Sequence, residues 1–402
     1  MKIKNYFQQF HNIVWVLLAG TILARGTAFM TLPFLSIYLS RNLDLHPFLI
    51  GLTVGISPLM ATFGGFVGGQ LSDRYGRKPV MLSSLLVLSF VYYGFSLANS
   101  PGWFILLNAL SGLCNSFFEP TSQALMSDVT EKEKRMRVFS LRYTAINIGA
   151  SVGPLIGAFL ANSSPKLTFI ITGTAYFSYL IFLLVLFNKF SIQRNESKKG
   201  ASFIEAVRIV RKDKILRYLI LGVILINVGY AQIESNLPQY LEGSLENGVM
   251  IYSVLLSINA VLVVFMQMPI SHFAERYRPM QILIAGSFIL SFGLICFSFV
   301  NGWITAIIAI TFITVGEILI FPSNSILIDQ LAEDHLRGTY FGAGQFRKIG
   351  HFFGPVLGGY FLSHYNGQMM FWIISLIALG SIFFFMLGNR VSVKIVVADA
   401  KK

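Results

Sequence analysis

Four ionisable side chains stand where the chain is otherwise apolar: Arg25, Glu119, Glu234 and Glu317. In a bilayer interior such a charge costs at least ~2.5–3.5 kcal/mol, so it faces a cavity or a partner. Desolvation favours the neutral, protonated carboxylate, whereas a neighbouring guanidinium favours the ionised one. Making and breaking an Arg–Glu contact would therefore take up a proton on one side and release it on the other. That chemistry moves protons and breaks no covalent bond. The usual enzyme constellations are missing from the sequence. It has no Gly-x4-Gly-Lys-(Ser/Thr) loop to cradle a nucleotide, no Cys/His cluster at metal spacing, and no nucleophile beside a plausible His base. The expectation is a protein that is not an enzyme, holds no metal or cofactor, and draws on a proton gradient.

The elements that must position these groups are membrane spans. The chain has 402 residues, 54% hydrophobic and 12% charged, where a soluble domain carries roughly 25% charged residues. Apolar runs of about 20 residues or more lie near 13–39, 48–72, 79–99, 103–127, 138–162, 167–188, 216–241, 249–273, 279–300, 303–328, 338–362 and 369–388. The reading is an all-α membrane protein of twelve transmembrane helices. The first run is too long for a signal h-region of about 7–15 residues, and it reads as a retained span. Cys114 and Cys296 both lie in apolar runs, which excludes a disulfide framework.

The net charge of +13 follows from topology. With a cytoplasmic N-terminus, all but three of the 31 Lys and Arg residues fall on the cytoplasmic side or at that end of a span. Arg41 and Lys166 fall outside, and Arg25 lies within a span. This positive-inside bias places both termini in the cytoplasm. No soluble face exists to carry a nucleic-acid patch. The longest polar segment, Lys189 to Lys214, divides the chain into an N-terminal six-helix bundle (1–190), a linker (191–215) and a C-terminal six-helix bundle (216–402). Within the linker, Ser202-Phe-Ile-Glu205 fits a capping box. Ile204, Val207, Val210 and Leu216 then alternate at helical spacing with Arg208, Arg211, Lys212 and Lys214, as in an amphipathic helix at the inner leaflet.

The two halves repeat one pattern about 200 positions apart. Gly149-x3-Gly153-Pro154-x2-Gly157 recurs as Gly350-x3-Gly354-Pro355-x2-Gly358. Asp73-Arg74-Tyr75 recurs, degraded, as Glu275-Arg276-Tyr277. Asp128 with Arg137 recurs as Asp329 with Arg337, each pair expected to latch a basic loop. A duplicated bundle is how many secondary transporters are built. Small-residue stripes allow close helix approach in lipid. The stripes on spans two (Gly64/Gly68 and Gly65/Gly69), five and eleven are therefore expected to form the contacts between halves. His351, between Gly350 and Phe352, reads as a satisfied packing histidine.

The segment Gly69-Gln-Leu71-Ser-Asp73-Arg74-Tyr-Gly76-Arg77-Lys78 resembles the signature loop of the major facilitator superfamily. The likeness extends over essentially the whole chain. It implies two pseudo-symmetric six-helix bundles that work by alternating access. It also implies a cytoplasmic gate in which Asp73 faces a helix N-terminus of the other half, while Arg74, Arg77 and Lys78 bind carboxylates and lipid phosphates. The Gly-Pro segment on span five resembles a motif of proton-driven exporters in the superfamily. Those exporters carry an arginine on span four, where this chain has Asn108; Arg25 could take its place.

By the same resemblance, spans one, four, seven and ten line the central cavity, which would gather Arg25, Glu119, Glu234 and Glu317. Gly316-Glu317 resembles the tenth span of proton/multidrug antiporters and makes Glu317 the first candidate for coupling, followed by Glu119 and Glu234. Asn227, Tyr230, Gln232, Asn236, Phe117 and Phe321 are the expected substrate contacts. An aromatic cavity suits lipophilic cations and other amphipathic drugs. The expectation is a monomeric carrier of the cytoplasmic (inner) membrane that exports small amphipathic molecules against protons, in contact with membrane lipids and with no nucleic-acid partner. A proton-coupled carrier of one metabolite (a sugar, peptide or siderophore), a lipid flippase or a membrane receptor on the same scaffold are the alternatives.

Overall fold

The computed structural model describes residues 10–131, 135–189, 203–274, 276–332 and 337–399. Among these the chain is helical throughout, with no strand. The first half runs α1 (Asn12–Leu43), α2 (Pro47–Tyr75), α3 (Arg77–Leu97), α4 (Pro101–Asp128), α5 (Arg135–Ser163) and α6 (Pro165–Lys189). The short α7 (Phe203–Lys212) precedes a broken span, α8 (Lys214–Tyr230), α9 (Gln232–Ser235) and α10 (Leu237–Ser244). Then follow α11 (Gly248–Ala274), α12 (Pro279–Ser298), α13 (Trp303–Leu331), α14 (Arg337–Gly344), a 3-10 turn (Gln345–Arg347), α15 (Lys348–His364) and α16 (Gly367–Asp399).

Among the described residues ten helices are long and apolar enough to cross a membrane. Of the twelve runs read from the sequence, the two outside this set are the fourth and the eleventh. The fourth, α4, is diluted by Asn108, Ser111, Asn115, Ser116 and Glu119. The eleventh is interrupted by the 3-10 turn and carries Arg347, Lys348 and His351. Both pack within the bundle, α4 along α2 and α3, and α15 along α2 and α8. Their polar residues face inward, which is why composition alone does not mark them as spans.

The duplication reappears in the packing. In the first half α1 pairs with α5, α2 with α4 and α3 with α6. In the second half α8 pairs with α15, α11 with α13 and α12 with α16. One buried apolar cluster draws on residues between Phe10 and Phe187. The other runs from Ala206 to Phe385 and reaches across to Phe34, Ile37 and Ala158.

The glycine stripes work inside each half, a correction to the contact expected between halves. A methyl group on Gly149 would come within 2.7 Å of the Gly26 nitrogen and 3.0 Å of Arg25 Cβ, and one on Gly153 within 3.0 Å of Phe29 Cβ. Gly157 likewise abuts α1 at Met30 and Phe34. Gly350 and Gly354 sit on α8 and the residue after it, where a methyl group would lie 2.8 Å from Asn227 Cβ and 2.8 Å from Ala231 Cβ; Gly358 abuts Gln232 and Asn236. Gly64 and Gly68 face Ser116 and Phe117 of α4. The stripe is one face of a helix; another face of α15 meets α2, and another of α5 meets α11.

The halves close on each other at one end. Arg41 of α1 forms an ion pair with Glu242 of α10. His46 and His364 rings lie 6.2 Å apart, and Phe48 and Tyr360 6.5 Å apart. Gly51 and Gly55 of α2 lie against the backbone of Pro355 and Phe352, and Gly359 lies against Pro47. The Arg41–Glu242 pair is partly exposed, and exposed pairs contribute about 0–1 kcal/mol. Glu242→Gln is therefore expected to change the transport rate less than about fivefold, as measured in proteoliposomes.

Near the opposite end α7 docks on α14. The Phe203 ring stands 5.7 Å from Phe63 of α2 and 5.5 Å from Phe346, so the linker touches both halves. Ala206 is fully buried and Ile204 is 70% exposed, so one face packs on protein and the other is left for lipid. Ser202 lies outside the described residues.

The candidate site between the two halves

In the first half three charged groups converge from three helices. Arg25 of α1 is ion-paired with Glu119 of α4, and Arg142 Nη2 of α5 stands 3.5 Å from the same Glu119 oxygen. The close packing of Gly149 on α1 sets this geometry, because Arg142 lies two helical turns before Gly149 on the same face of α5. A cavity of about 160 Å³ opens onto Arg25, Asn115, Phe118, Glu119, Arg142 and Tyr176. Behind Arg25, buried Tyr92 and Tyr176 stack with centroids 5.4 Å apart.

In the second half Glu317 of α13 accepts a hydrogen bond of 2.9 Å from Asn259 Nδ2 of α11, which also donates 2.9 Å to Thr314 Oγ1. The Tyr230 hydroxyl is the other polar neighbour. Among the described residues no cation pairs with Glu317. Gly316 packs on Leu290 and Gly286 of α12, which turns the next side chain, Glu317, towards α11. Tyr230 meets Phe321 edge-on at 5.2 Å and His351 at 6.2 Å. Glu234 is exposed yet lies within Coulombic range of Arg25, so its carboxylate faces the space between the halves. A second cavity, of about 240 Å³, is lined by Asn115 and Glu119 from the first half and by Arg347, Lys348 and His351 from the second.

Residues 17–347 match the Major Facilitator Superfamily. The chain belongs to that superfamily. As such it is a multi-pass membrane transporter and not an enzyme. It is 35% identical over 375 residues to an uncharacterized MFS-type transporter, YqjV, of Bacillus subtilis (strain 168), covering 92% of each chain. It is 25% identical over 390 residues to a Na(+), Li(+), K(+)/H(+) antiporter of Planococcus maritimus, covering 89% of this chain and 90% of that one. It is 28% identical over 364 residues to the multidrug resistance protein MdtH of Yersinia pestis (strain Pestoides F), covering 88% and 84%. The crystal structure of the peptide transporter POT shares the fold with a TM-score of 0.82 at 14% identity, covering 94% of each chain.

Set on this superfamily scaffold, several residues named from the sequence have other work. Asn227 donates to Val223 O at 2.7 Å, and Gln232 to Val228 O and to Gly354 O at 2.8 and 2.9 Å. Asn236 donates to Gln232 Oε1 at 2.7 Å and to Pro355 O at 3.3 Å. All three are fully buried. They satisfy the backbone where α8, α9 and α10 break, and so hold α15 in place rather than face a solute. Phe117 packs on Gly68, while its neighbour Phe118 reaches the cavity. Asn108, in the place of the expected arginine, is 2% exposed and donates to Thr53 O of α2 at 2.6 Å. His351 is not a satisfied packing residue: it lines the second cavity, and its Nδ1 is buried with no hydrogen-bond partner.

At the loop between α2 and α3, Gly76 has φ +93°, a conformation that favours glycine. Arg77 reaches Asp128 at 3.4 Å, Lys78 donates to Asn188 at 3.0 Å, and the Arg74 guanidinium lies over the Tyr75 ring. Asp128 therefore engages Arg77 of this loop. The side chains of Asp73, Gln70, Arg137 and Arg337, together with Gly69 and Glu275, lie outside what is described.

Arg142, Asn259, Arg347 and Lys348 were missed from the sequence. Arg142 carried a readable signal, the seven-residue spacing to Gly149. Arg347 and Lys348 are about 15 Å inside their run at 1.5 Å per residue, yet they read as interfacial when every cation near the start of a run is assigned to the cytoplasm.

Proposed function

We propose that this transporter is a proton-coupled exporter of small amphipathic molecules, working by alternating access between two six-helix bundles. The observation that carries the reading is Glu317. It is an acid facing the inside of the bundle, with amide and hydroxyl neighbours and no ion-pair partner among the described residues. Glu119, by contrast, is held by two arginines. A carboxylate without a cation in a low-dielectric site exchanges its proton as water reaches it from one side or the other. The H(+) antiporter and the multidrug resistance protein among the relatives support exchange and export.

The positive-inside bias places both termini in the cytoplasm of a cell with this carrier in its inner membrane. On that orientation the Arg41–Glu242 and His46–His364 contacts close the external end, and the carrier faces the cytoplasm. The Arg77–Asp128 pair belongs to the cytoplasmic gate. Protons supply the drive, with no cofactor, and a single chain suffices.

The test is purified protein in liposomes with a trapped pH indicator, offered a panel of amphipathic solutes. Saturable, solute-dependent proton movement opposite to the solute is expected. Saturable solute movement with no proton movement would overturn coupling. Leaflet exchange of labelled lipid with no solute movement would replace the exporter by a flippase.

A further inference from the structure

The second cavity holds two cations that nothing balances. Arg347 and Lys348 are consecutive, both line it, and neither forms an ion pair among the described residues. The acids within reach are otherwise engaged. Glu119 lines the same cavity but is shared by Arg25 and Arg142, and Glu234 is in Coulombic range of Arg25. Even the first-half cluster, two arginines on one glutamate, carries a surplus positive charge. Leaving cations unpaired in a low-dielectric interior is costly. A fold that keeps Arg347 and Lys348 beside a cavity has left room for an anion. The arginine fork suits a carboxylate, which it can grip bidentately. His351, one turn further along α15 with its Nδ1 unpartnered, adds a polar atom to the same wall.

The sign of coupling adds a second requirement. A purely anionic solute would bind better once Glu317 had gained a proton, so the two would travel together. Exchange requires a solute that competes with the proton at Glu317, and a positively charged group does so. Tyr230 joins the two ends: its hydroxyl neighbours Glu317, its ring meets His351, and Arg347 lies within Coulombic range. Phe321, edge-on to Tyr230, supplies the apolar surface.

We infer that the site takes an amphipathic zwitterion, its carboxylate on Arg347 and Lys348 and its ammonium on Glu317, with its apolar body along Tyr230 and Phe321. The ammonium end rests on the proton-exchange reading above; the carboxylate end stands on the unpaired cations alone. This corrects the lipophilic cation expected from aromatic content, because a cavity with surplus positive charge repels one.

The experiment measures binding by ligand-induced thermal stabilisation of the purified full chain, using 4-phenyl-phenylalanine, its methyl ester, its N-acetyl form and tetraphenylphosphonium. The zwitterion is expected to bind at least about tenfold more tightly than either blocked form, the worth of one charge-assisted hydrogen bond. Lys348→Gln is expected to erase the preference over the ester, Lys348→Arg to keep it, and Glu317→Gln to erase the preference over the N-acetyl form. Arg347→Gln repeats the first test should Lys348→Gln fail to fold. Equal or tighter binding of the ester or of tetraphenylphosphonium would overturn the carboxylate site, and equal binding of the N-acetyl form would overturn the ammonium site. No binding by the zwitterion would overturn both. The expected binding pattern without proton movement in liposomes would leave the zwitterion site standing and remove proton exchange. Leaflet exchange of labelled phosphatidylethanolamine would transfer the same chemistry to a lipid headgroup and overturn the soluble solute.

Discussion

Glu317→Gln is expected to lower solute-driven proton flux to the leak of protein-free liposomes, while solute remains bound at raised concentration. Glutamine keeps the shape and can still accept from Asn259, whose amide now lies 2.9 Å from the carboxylate. The packing of Gly316 on α12, which aims the side chain, is untouched. What is lost is the single exchangeable proton. A merely structural glutamate would give the opposite pattern, with lower thermal stability and unaltered coupling in whatever protein survived. Flux in the variant equal to wild type would remove Glu317 from the proton path. Glu234, exposed between the halves, would then be the next acid to test. Solute counterflow across a membrane with no pH gradient separates the two effects, because it needs binding and rocking but no net proton movement.

Glu119→Gln is expected to damage the fold and transport together. Glu119 is the one acid between Arg25 and Arg142, so its loss leaves two guanidinium groups facing each other. Breaking a fully buried pair costs about 3–5 kcal/mol. Here the Arg25 and Glu119 side chains are 35% and 36% exposed to the cavity, and water there screens part of the cost. The expected loss is about 2 kcal/mol, or a ~30-fold change in the folded-to-unfolded ratio. Arg142→Gln leaves one arginine on one glutamate and is expected to cost less. The double variant Glu119→Gln/Arg142→Gln is expected to recover part of the stability without recovering transport, since the relief of repulsion is local and the charge pattern of the cavity is gone. Thermal unfolding in detergent and solute flux in liposomes check both. A Glu119→Gln protein as stable and as active as wild type would show that the three charges are independent.

The contrast between Glu119 and Glu317 marks the limit of sequence reasoning at this site. Both were visible as acids in apolar runs, and both sit near a proline, so their surroundings looked alike. Their roles diverge because one is met by arginines from α1 and α5 and the other by an asparagine from α11. Those partners lie on other helices, and the angle at which helices cross decides which side chains meet.

The amino-acid sequence by itself determined that this protein is a bundle of apolar helices, duplicated, with its basic residues gathered at one side. Those properties follow from hydropathy and charge summed along the chain, and the bilayer as solvent enforces them residue by residue. The Arg77 loop and the positive φ of Gly76 were equally legible, because a tight turn is a local matter. Only the tertiary structure decided which polar residues face the cavity. Asn227, Gln232 and Asn236 looked like solute contacts and turned out to bridge the broken backbone to α15. Arg142, Arg347 and Lys348 looked interfacial and turned out to line the space between the halves. A helix offers the same side chain several possible neighbours, and the choice is made by close approaches such as Gly149 on Gly26 and Gly350 on Asn227, which exist only when both helices are present.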